Sequence, residues 1–297
     1  MQLQPVDTVS SISAADFKTK YYAAMKPLVI KDLSKQWPAY QKWTWDYFIN
    51  IVGEKEVGVY NNIKSDAYTP INTADAYMKF GDYLEKVKSG PLDLRIFLFN
   101  IFQHAPQIVS DFTWPEELMK GFVKRYPMLF VGGQGSITHM HFDIDMSHIL
   151  HTQFMGRKRV LLFPFDEQYK LYRKPWEVLS LANYANYAEK FDYENFPAVR
   201  LARGYEVILE HGDTLFMPAG YWHHMEYIDG GFAMSLRALQ SSLGGKVNGL
   251  WKLFGMRNID TLMKKTAPQW WYNRKRKKLY SFAEKELKLS EKNDKIN

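Results

Sequence analysis

The order of apolar and polar positions changes character near residue 126. Before it, helical and extended signals alternate. Lys26-Pro27-Leu28-Val29-Ile30 reads as a short strand, the break at Trp37-Pro38 follows, and 43–52 has the spacing of an amphipathic helix. A strand is expected over 56–60, a helix over 73–88 bounded by Gly90-Pro91, and an apolar strand over 94–101. The run 114–124 reads as a further helix with Pro115 in its first turn. Trp37, Trp43 and Trp45 are expected in the core of this region.

From Met128 onward the pattern is of short strands punctuated by Gly and Pro: 128–132, 137–142, 149–155, 159–164, 206–210, 214–217, 224–228 and 232–238. Such spacing predicts a closed sandwich or barrel rather than a parallel sheet. A long insert over 166–203 interrupts it, and its Tyr184, Tyr187 and Tyr193 are candidates for a substrate groove. After Gly245 a helical stripe of Val247, Leu250, Trp251, Phe254, Ile259, Leu262 and Met263 is expected to pack on the core or to pair two copies of the chain. The division this suggests is a catalytic domain over 1–245, with its β core at 126–240, and a basic helical extension over 246–297.

Composition narrows the chemistry. An apolar fraction of 46% is ample for a core, and the absence of cysteine removes disulfides, thiolate metal sites and thiol nucleophiles. The N-terminus lacks the pattern of a secretory signal and no apolar run has the length of a membrane span, so a soluble, cytoplasmic protein is expected. The net charge of +7 is localised: 246–297 holds 14 Lys and Arg against 5 Asp and Glu, leaving 25 against 27 in the rest. Any nucleic-acid or anionic-surface partner therefore has to meet the segment around Arg274-Lys275-Arg276-Lys277-Lys278, and such a run is more often a solvated helix face.

The segment Thr138-His139-Met140-His141-Phe142-Asp143 carries the main chemical signal. On a regular strand His139, His141 and Asp143 share one face. A second segment, Gly212-Asp213-Thr214-Leu215-Phe216-Met217-Pro218-Ala219-Gly220-Tyr221-Trp222-His223-His224, makes a turn, a strand, a second turn and a strand opening with histidine, and places His223 eighty residues beyond Asp143. Only one of His223 and His224 can face the same side, and His223 is the choice. Two imidazoles and a carboxylate suit Fe(II) and leave three positions of an octahedron open, enough for a bidentate keto acid and O2.

Ile137-Thr138-x-x-His141-x-Asp143, then Gln153-x-x-Gly156-Arg157-Lys158-Arg159-Val160-Leu161-Leu162-Phe163-Pro164, then Gly212-Asp213-x-Leu215-Phe216-x-Pro218-x-x-x-Trp222-His223 resembles the cupin-like JmjC hydroxylases over roughly 20–240. The resemblance implies a mainly β fold with α elaborations: a double-stranded β-helix, or jelly roll, with an N-terminal α/β region and C-terminal helices. It implies an Fe(II)- and 2-oxoglutarate-dependent dioxygenase that hydroxylates a C–H bond, a protein side chain being the preferred substrate class. Iron falls to His141, Asp143 and His223, and the far carboxylate of 2-oxoglutarate to Lys158 with help from Thr138. C-terminal helices in that family also suggest a homodimer.

Three departures bear on the site. The stretch from Asp143 to Gln153 is two residues longer than in the family and contains His148 and His151, expected as packing or supporting groups. Phe97 stands where a tyrosine touches the keto acid. Arg237 replaces an asparagine, as a second carboxylate anchor or as an ion-pair partner of Asp213 or Asp145. Two other readings stay open: a small-molecule cupin recruiting His139 with His141 and His223, with Asp145 as its candidate carboxylate, without keto acid; and a binding module whose basic tail carries the function.

Overall fold

The computed structural model describes residues 1–63, 73–240, 244, 249 and 251–294. Alternation along the strands sorts side chains onto two faces, and two sheets close over the apolar face they share. One sheet contains β1 (Gln2–Pro5), β11 (Arg203–Leu209), β10 (Lys158–Phe163), β13 (Trp222–Tyr227) and β8 (Ile137–His141), in that order. The other contains β2 (Asp7–Val9), β3 (Leu28–Ile30), β12 (Thr214–Met217), β9 (His148–Met155), β14 (Gly231–Ala238), β7 (Met128–Gly132) and β6 (Arg95–Asn100). Between them lie Val160, Leu162, Leu209 and Met225 from the first and Val29, Ile149, Leu215 and Met217 from the second. This is the jelly roll expected of 126–240. The N-terminal strands β1 and β2, which pair in parallel with β11 and β3, extend it beyond the expectation.

Both sheets are covered on their outer faces as well. The seven-stranded sheet packs Leu150, Phe154, Phe216 and Phe232 against Trp43, Phe48 and Phe80 of the N-terminal region. The five-stranded sheet packs Met140, Leu161, Phe163 and Trp222 against the insert and against Leu279 and Ala283 of the last helix. Burial of each such side chain contributes about 1.5–3 kcal/mol. Double coverage explains why β9 reads HILHTQFM without clean alternation, since nearly every position in it is buried. Gly132 permits a close approach, because a Cβ there would stand 2.4 Å from the Tyr227 ring.

The α/β elaboration contains α1 (Trp45–Val52), capped by the Thr44 side chain, and α2 (Phe80–Ser89). The helix expected over 73–88 is thus shorter. Ala76–Lys79 forms β5 and pairs antiparallel with β4 (Glu56–Val59), and the helical repeat begins only at Phe80, Tyr83, Leu84 and Val87. The helix expected over 114–124 is a single turn closed on the Pro115 carbonyl, ended by Gly121 at φ 85°. The chain is then held as an edge, with Val123 N donating to Arg237 O at 2.8 Å.

The C-terminal extension contains a π-helical turn (Trp251–Met256), α3 (Arg257–Thr266) and the 27-residue α4 (Pro268–Asp294). Of the apolar stripe expected to pack on the core or to pair two copies, Trp251, Phe254 and Leu262 are exposed and Ile259 and Met263 half-buried, while Val247, Leu250 and Gly245 lie outside the described residues. The basic run belongs to α4, whose contact with the body is narrow, with Trp271, Lys275, Leu279 and Ala283 buried at intervals of four. The groove expectation for the insert tyrosines is also corrected. Tyr184 and Tyr187 are buried in the outer core, Tyr187 donates its hydroxyl to Glu206, and Tyr193 accepts from the N-terminal amine. No helix among the described residues is long and apolar enough to cross a membrane.

Candidate active site

β8 and β13 are neighbours in the same sheet, and His141 stands directly opposite His223. Their rings lie 4.2 Å apart between centroids. The next registered pair is Thr138 with Met225, so three steps along β8 match two along β13, a β-bulge. The bulge reverses alternation. Thr138 and His141 both face the interior with Met225 and His223, whereas His139 leaves that face and its Nε2 lies 2.9 Å from the carbonyl oxygen of Asn62. The shared face expected for His139, His141 and Asp143 presumed a regular strand, and this corrects it.

Among the described residues, the three groups placed to share a metal ion are His141, Asp143 and His223, with ligand atoms all within 4.8 Å of one another. Each histidine is held through Nδ1, which donates to a carbonyl oxygen: His139 O at 2.8 Å for His141, and Tyr221 O at 3.2 Å for His223. A carbonyl can only accept, so Nε2 of each ring keeps its lone pair for a cation. Burial lowers both imidazoles, His141 to about 3, and keeps them neutral. Burial opposes ionisation of Asp143, yet the Arg237 guanidinium, which also donates a hydrogen bond to it, outweighs burial and holds the carboxyl well below its ordinary range. These donors fit Fe(II): two neutral imidazole nitrogens and an ionised carboxylate oxygen, already gathered.

Arg237 on β14 lies 3.1 Å from Asp143 Oδ2 and 3.4 Å from Asp145 Oδ1. Of the partners weighed for it, Asp145 is met and Asp213 is not, since Asp213 pairs with Lys31 at 3.1 Å. The lengthened stretch after Asp143 is a tight turn in which Met146 N donates to Asp143 O and Met146 takes a φ of 53°. The guanidinium bridging Asp143 and Asp145 fastens that turn to the opposite sheet.

Lys158 opens β10 on the same face as Val160 and Leu162 and is 0% exposed. Its neighbours take the other face, Arg157 pairing with Asp229 and Arg159 with Glu226. Lys158 Nζ donates to His151 Nε2 at 3.1 Å, and His151 Nδ1 then donates to Ser235 Oγ at 2.7 Å. The ammonium also lies 4.3 Å over the ring of Tyr227. No carboxylate among the described residues lies within ion-pair reach of it, and burial lowers its pKa to about 7. Leu162, four residues along β10, faces His223. Along a strand that is about 13 Å, a gap that a lysine side chain and a five-carbon diacid span together.

His151 and Ser235 were legible only in part. Ser235 shares the inward parity of Arg237, and Tyr227 that of His223, so both could have been found once the inward histidine was fixed. His148 packs between Tyr22 and Phe216, and Phe97 packs on Tyr60 at 4.3 Å. His224, on the opposite face from His223, lies near Tyr184 and Tyr187.

Residues 14–277 match the family described as a cupin-like domain. The chain is 28% identical over 239 residues to Jumonji C domain-containing protein 5 of Drosophila melanogaster, covering 75% of this chain and 57% of that protein. It is 24% identical over 229 residues to lysine-specific demethylase 8 of Xenopus tropicalis, covering 75% and 50%. To human tRNA wybutosine-synthesizing protein 5 it is 29% identical over 243 residues, covering 74% and 73%. The chain thus spans about half the length of the first two relatives.

Proposed function

The chain belongs to the cupin-like domain family, which includes the JmjC oxygenases, and on that premise we propose that it is an Fe(II)- and 2-oxoglutarate-dependent dioxygenase that hydroxylates a C–H bond. The observation that carries the reading is Lys158: a fully buried cation without an anionic partner among the described residues, inside the same barrel as a ready His/Asp/His set. A buried ammonium is costly unless something compensates it, and a cosubstrate carboxylate would.

His141, Asp143 and His223 would hold the iron. The bound metal supplies activation of O2, coupled to decarboxylation of 2-oxoglutarate, which side chains cannot perform. The chain's own residues place and protect. Lys158 binds the far carboxylate, while His151, fixed by Ser235, orients the ammonium through the hydrogen bond it accepts. Thr138, turned inward by the bulge, adds a hydroxyl donor to the same carboxylate. Arg237 keeps Asp143 ionised and limits its rotation; its cosubstrate role is secondary to that pairing. Val160 and Met225 keep the interior dry.

The resemblance suggests a protein side chain as substrate, and the relatives' names divide between a lysine demethylase and a protein of tRNA wybutosine synthesis. The small-molecule reading loses support, because His139 stands apart from the ligand set and a cupin without keto acid needs no Lys158. Exposed Trp251, Phe254 and Leu262 would be covered in a homodimer through the C-terminal helices, which sedimentation velocity tests. Anaerobic titration of 2-oxoglutarate into the Fe(II)-loaded protein tests the site. Saturable binding that Lys158→Ala weakens at least tenfold is expected, whereas equal binding by that variant refutes the cosubstrate assignment.

A further inference from the structure

A cleft of about 380 Å³ lies between α4, α3 and the turn at Pro175-Trp176, within the size range of small-molecule sites. Its walls are aromatic and cationic. Trp271 is fixed, its Nε1 donating to Asp260 Oδ1 at 2.8 Å, and the rings of Trp176 and Trp270 lie 6.0 and 6.1 Å from it. Trp270 is 53% exposed, and the Arg274 guanidinium sits 5.2 Å over its ring. On α4, Trp270, Arg274 and Lys278 follow one another at intervals of four, so they form a stripe beside the buried one.

The charges around this cleft do not cancel. Lys275 is committed to Glu177 and Asp260, and Lys264 to the same two carboxylates. Lys174 also lies 4.0 Å from Glu177, so two acids meet three lysines. Among the described residues, Arg274 and Lys278 have no carboxylate within ion-pair distance, and Arg276 and Lys277 beside them have none either. The cleft wall also leads to the metal strand. Three residues after Trp176, Leu179 bridges to His141, with Phe142 N donating to Val178 O at 3.1 Å and Ser180 N to Met140 O at 3.0 Å. Residues 174–179 form a tight turn, with Lys174 N donating to Leu179 O at 3.0 Å, and three residues span at most about 10 Å, so the cleft wall stands next to the strand that carries His141.

We propose that this cleft docks a single-stranded segment of RNA, one base stacking on the exposed tryptophan and the flanking phosphates meeting Arg274 and Lys278. Stacking faces interleaved with unpaired cations are the chemistry that holds unpaired nucleotides. An acidic peptide would use the cations and leave the rings idle. Splayed bases in loops are how folded RNA presents itself to proteins, whereas DNA is ordinarily duplex. The proposal deepens the oxygenase reading by naming the partner brought to that site, and it favours RNA over the protein side chain that resemblance suggests. It rests on that reading for its purpose, not for the binding itself.

The test is fluorescence anisotropy of the full chain with a fluorescein-labelled single-stranded 12-nucleotide RNA over a range of NaCl concentrations. The duplex of the same sequence and a poly-glutamate peptide serve as competitors. Expected are RNA binding, an at least about fivefold loss in Trp270→Ala from the lost stacking, and a salt slope shallower by about 1.4 in Arg274→Gln/Lys278→Gln. Melting temperature and uncoupled 2-oxoglutarate turnover, measured in parallel, should be unchanged in Trp270→Ala. No RNA binding at low salt, unaltered binding by the variants, or competition by duplex or poly-glutamate equal to that of the single strand overturns the proposal. RNA binding by a wild-type protein that never consumes 2-oxoglutarate would count against the oxygenase reading alone.

Discussion

Replacing Lys158 with methionine should stabilise the metal-free protein while removing its affinity for 2-oxoglutarate. The ammonium is fully buried, and its pKa falls from 10.5 to about 7 because burial penalises the charged form. At about 1.4 kcal/mol per unit, that difference is about 5 kcal/mol, an upper bound that relaxation around the amine reduces. Below pH 7 the amine is charged in folded and unfolded chains alike, and the whole penalty is present. Between pH 7 and 10.5 the unfolded chain holds a proton that the folded one has released, so stability rises with pH across that window. Methionine keeps the length of the side chain and carries no charge. The variant should therefore unfold later than the wild type at pH 6, by about 4 °C or more if only 2 kcal/mol survives relaxation, and its advantage should shrink at pH 9. In metal-loaded protein, 2-oxoglutarate at a hundred times its Kd should stabilise the wild type by about 2.7 kcal/mol and leave Lys158→Met unmoved. Thermal unfolding followed by circular dichroism at both pH values measures each effect. A variant less stable at pH 6, or one whose gain does not depend on pH, refutes the idea that the amine is held at a cost for an anion.

Arg237→Gln should destabilise the metal-free protein by about 1–3 kcal/mol, below the cost of breaking a fully buried pair, since Asp143 loses its half-buried cation. The loss should be smaller in the iron-loaded protein, where the metal neutralises the same carboxylate, and urea unfolding with and without Fe(II) measures the difference. Lys275→Met should loosen α4, because Glu177 would keep Lys264 and the more distant Lys174, and Asp260 would keep Lys264 and Trp271, with the cation buried under α4 gone. Trypsin should then cut within 268–294 faster, with strands of the barrel still protected; unchanged cleavage would show that the apolar contacts of Leu279 and Ala283 suffice.

The barrel was legible because its strands announce themselves twice, by alternation and by the Gly and Pro turns that end them. Lys158 could be placed inside by parity alone, since Arg157 and Arg159 had to take the other face. What parity could not reveal was the bulge between Thr138 and His141. One extra residue moved His139 out of the ligand face and Thr138 into it, and it removed the main rival metal set. Periodicity failed at 76–79 and 114–124 for a related reason: four residues pairing with β4, and an edge contact to β14, are tertiary interactions that override local preference. The ion pair of Arg237 with Asp143 joins residues 94 positions apart, and nothing local records it. The tail reads as a charged helix, and its burial of Lys275 depends on Glu177 in the insert.

Succinate released from 2-oxoglutarate by the purified chain in air, with and without Fe(II), tests the assignment of His141, Asp143 and His223 most directly. Iron-dependent succinate from the wild type is expected even without substrate, at the low uncoupled rate, with none above background from His141→Ala. Iron-loaded wild type that forms no succinate, or His141→Ala that forms as much, would contradict it.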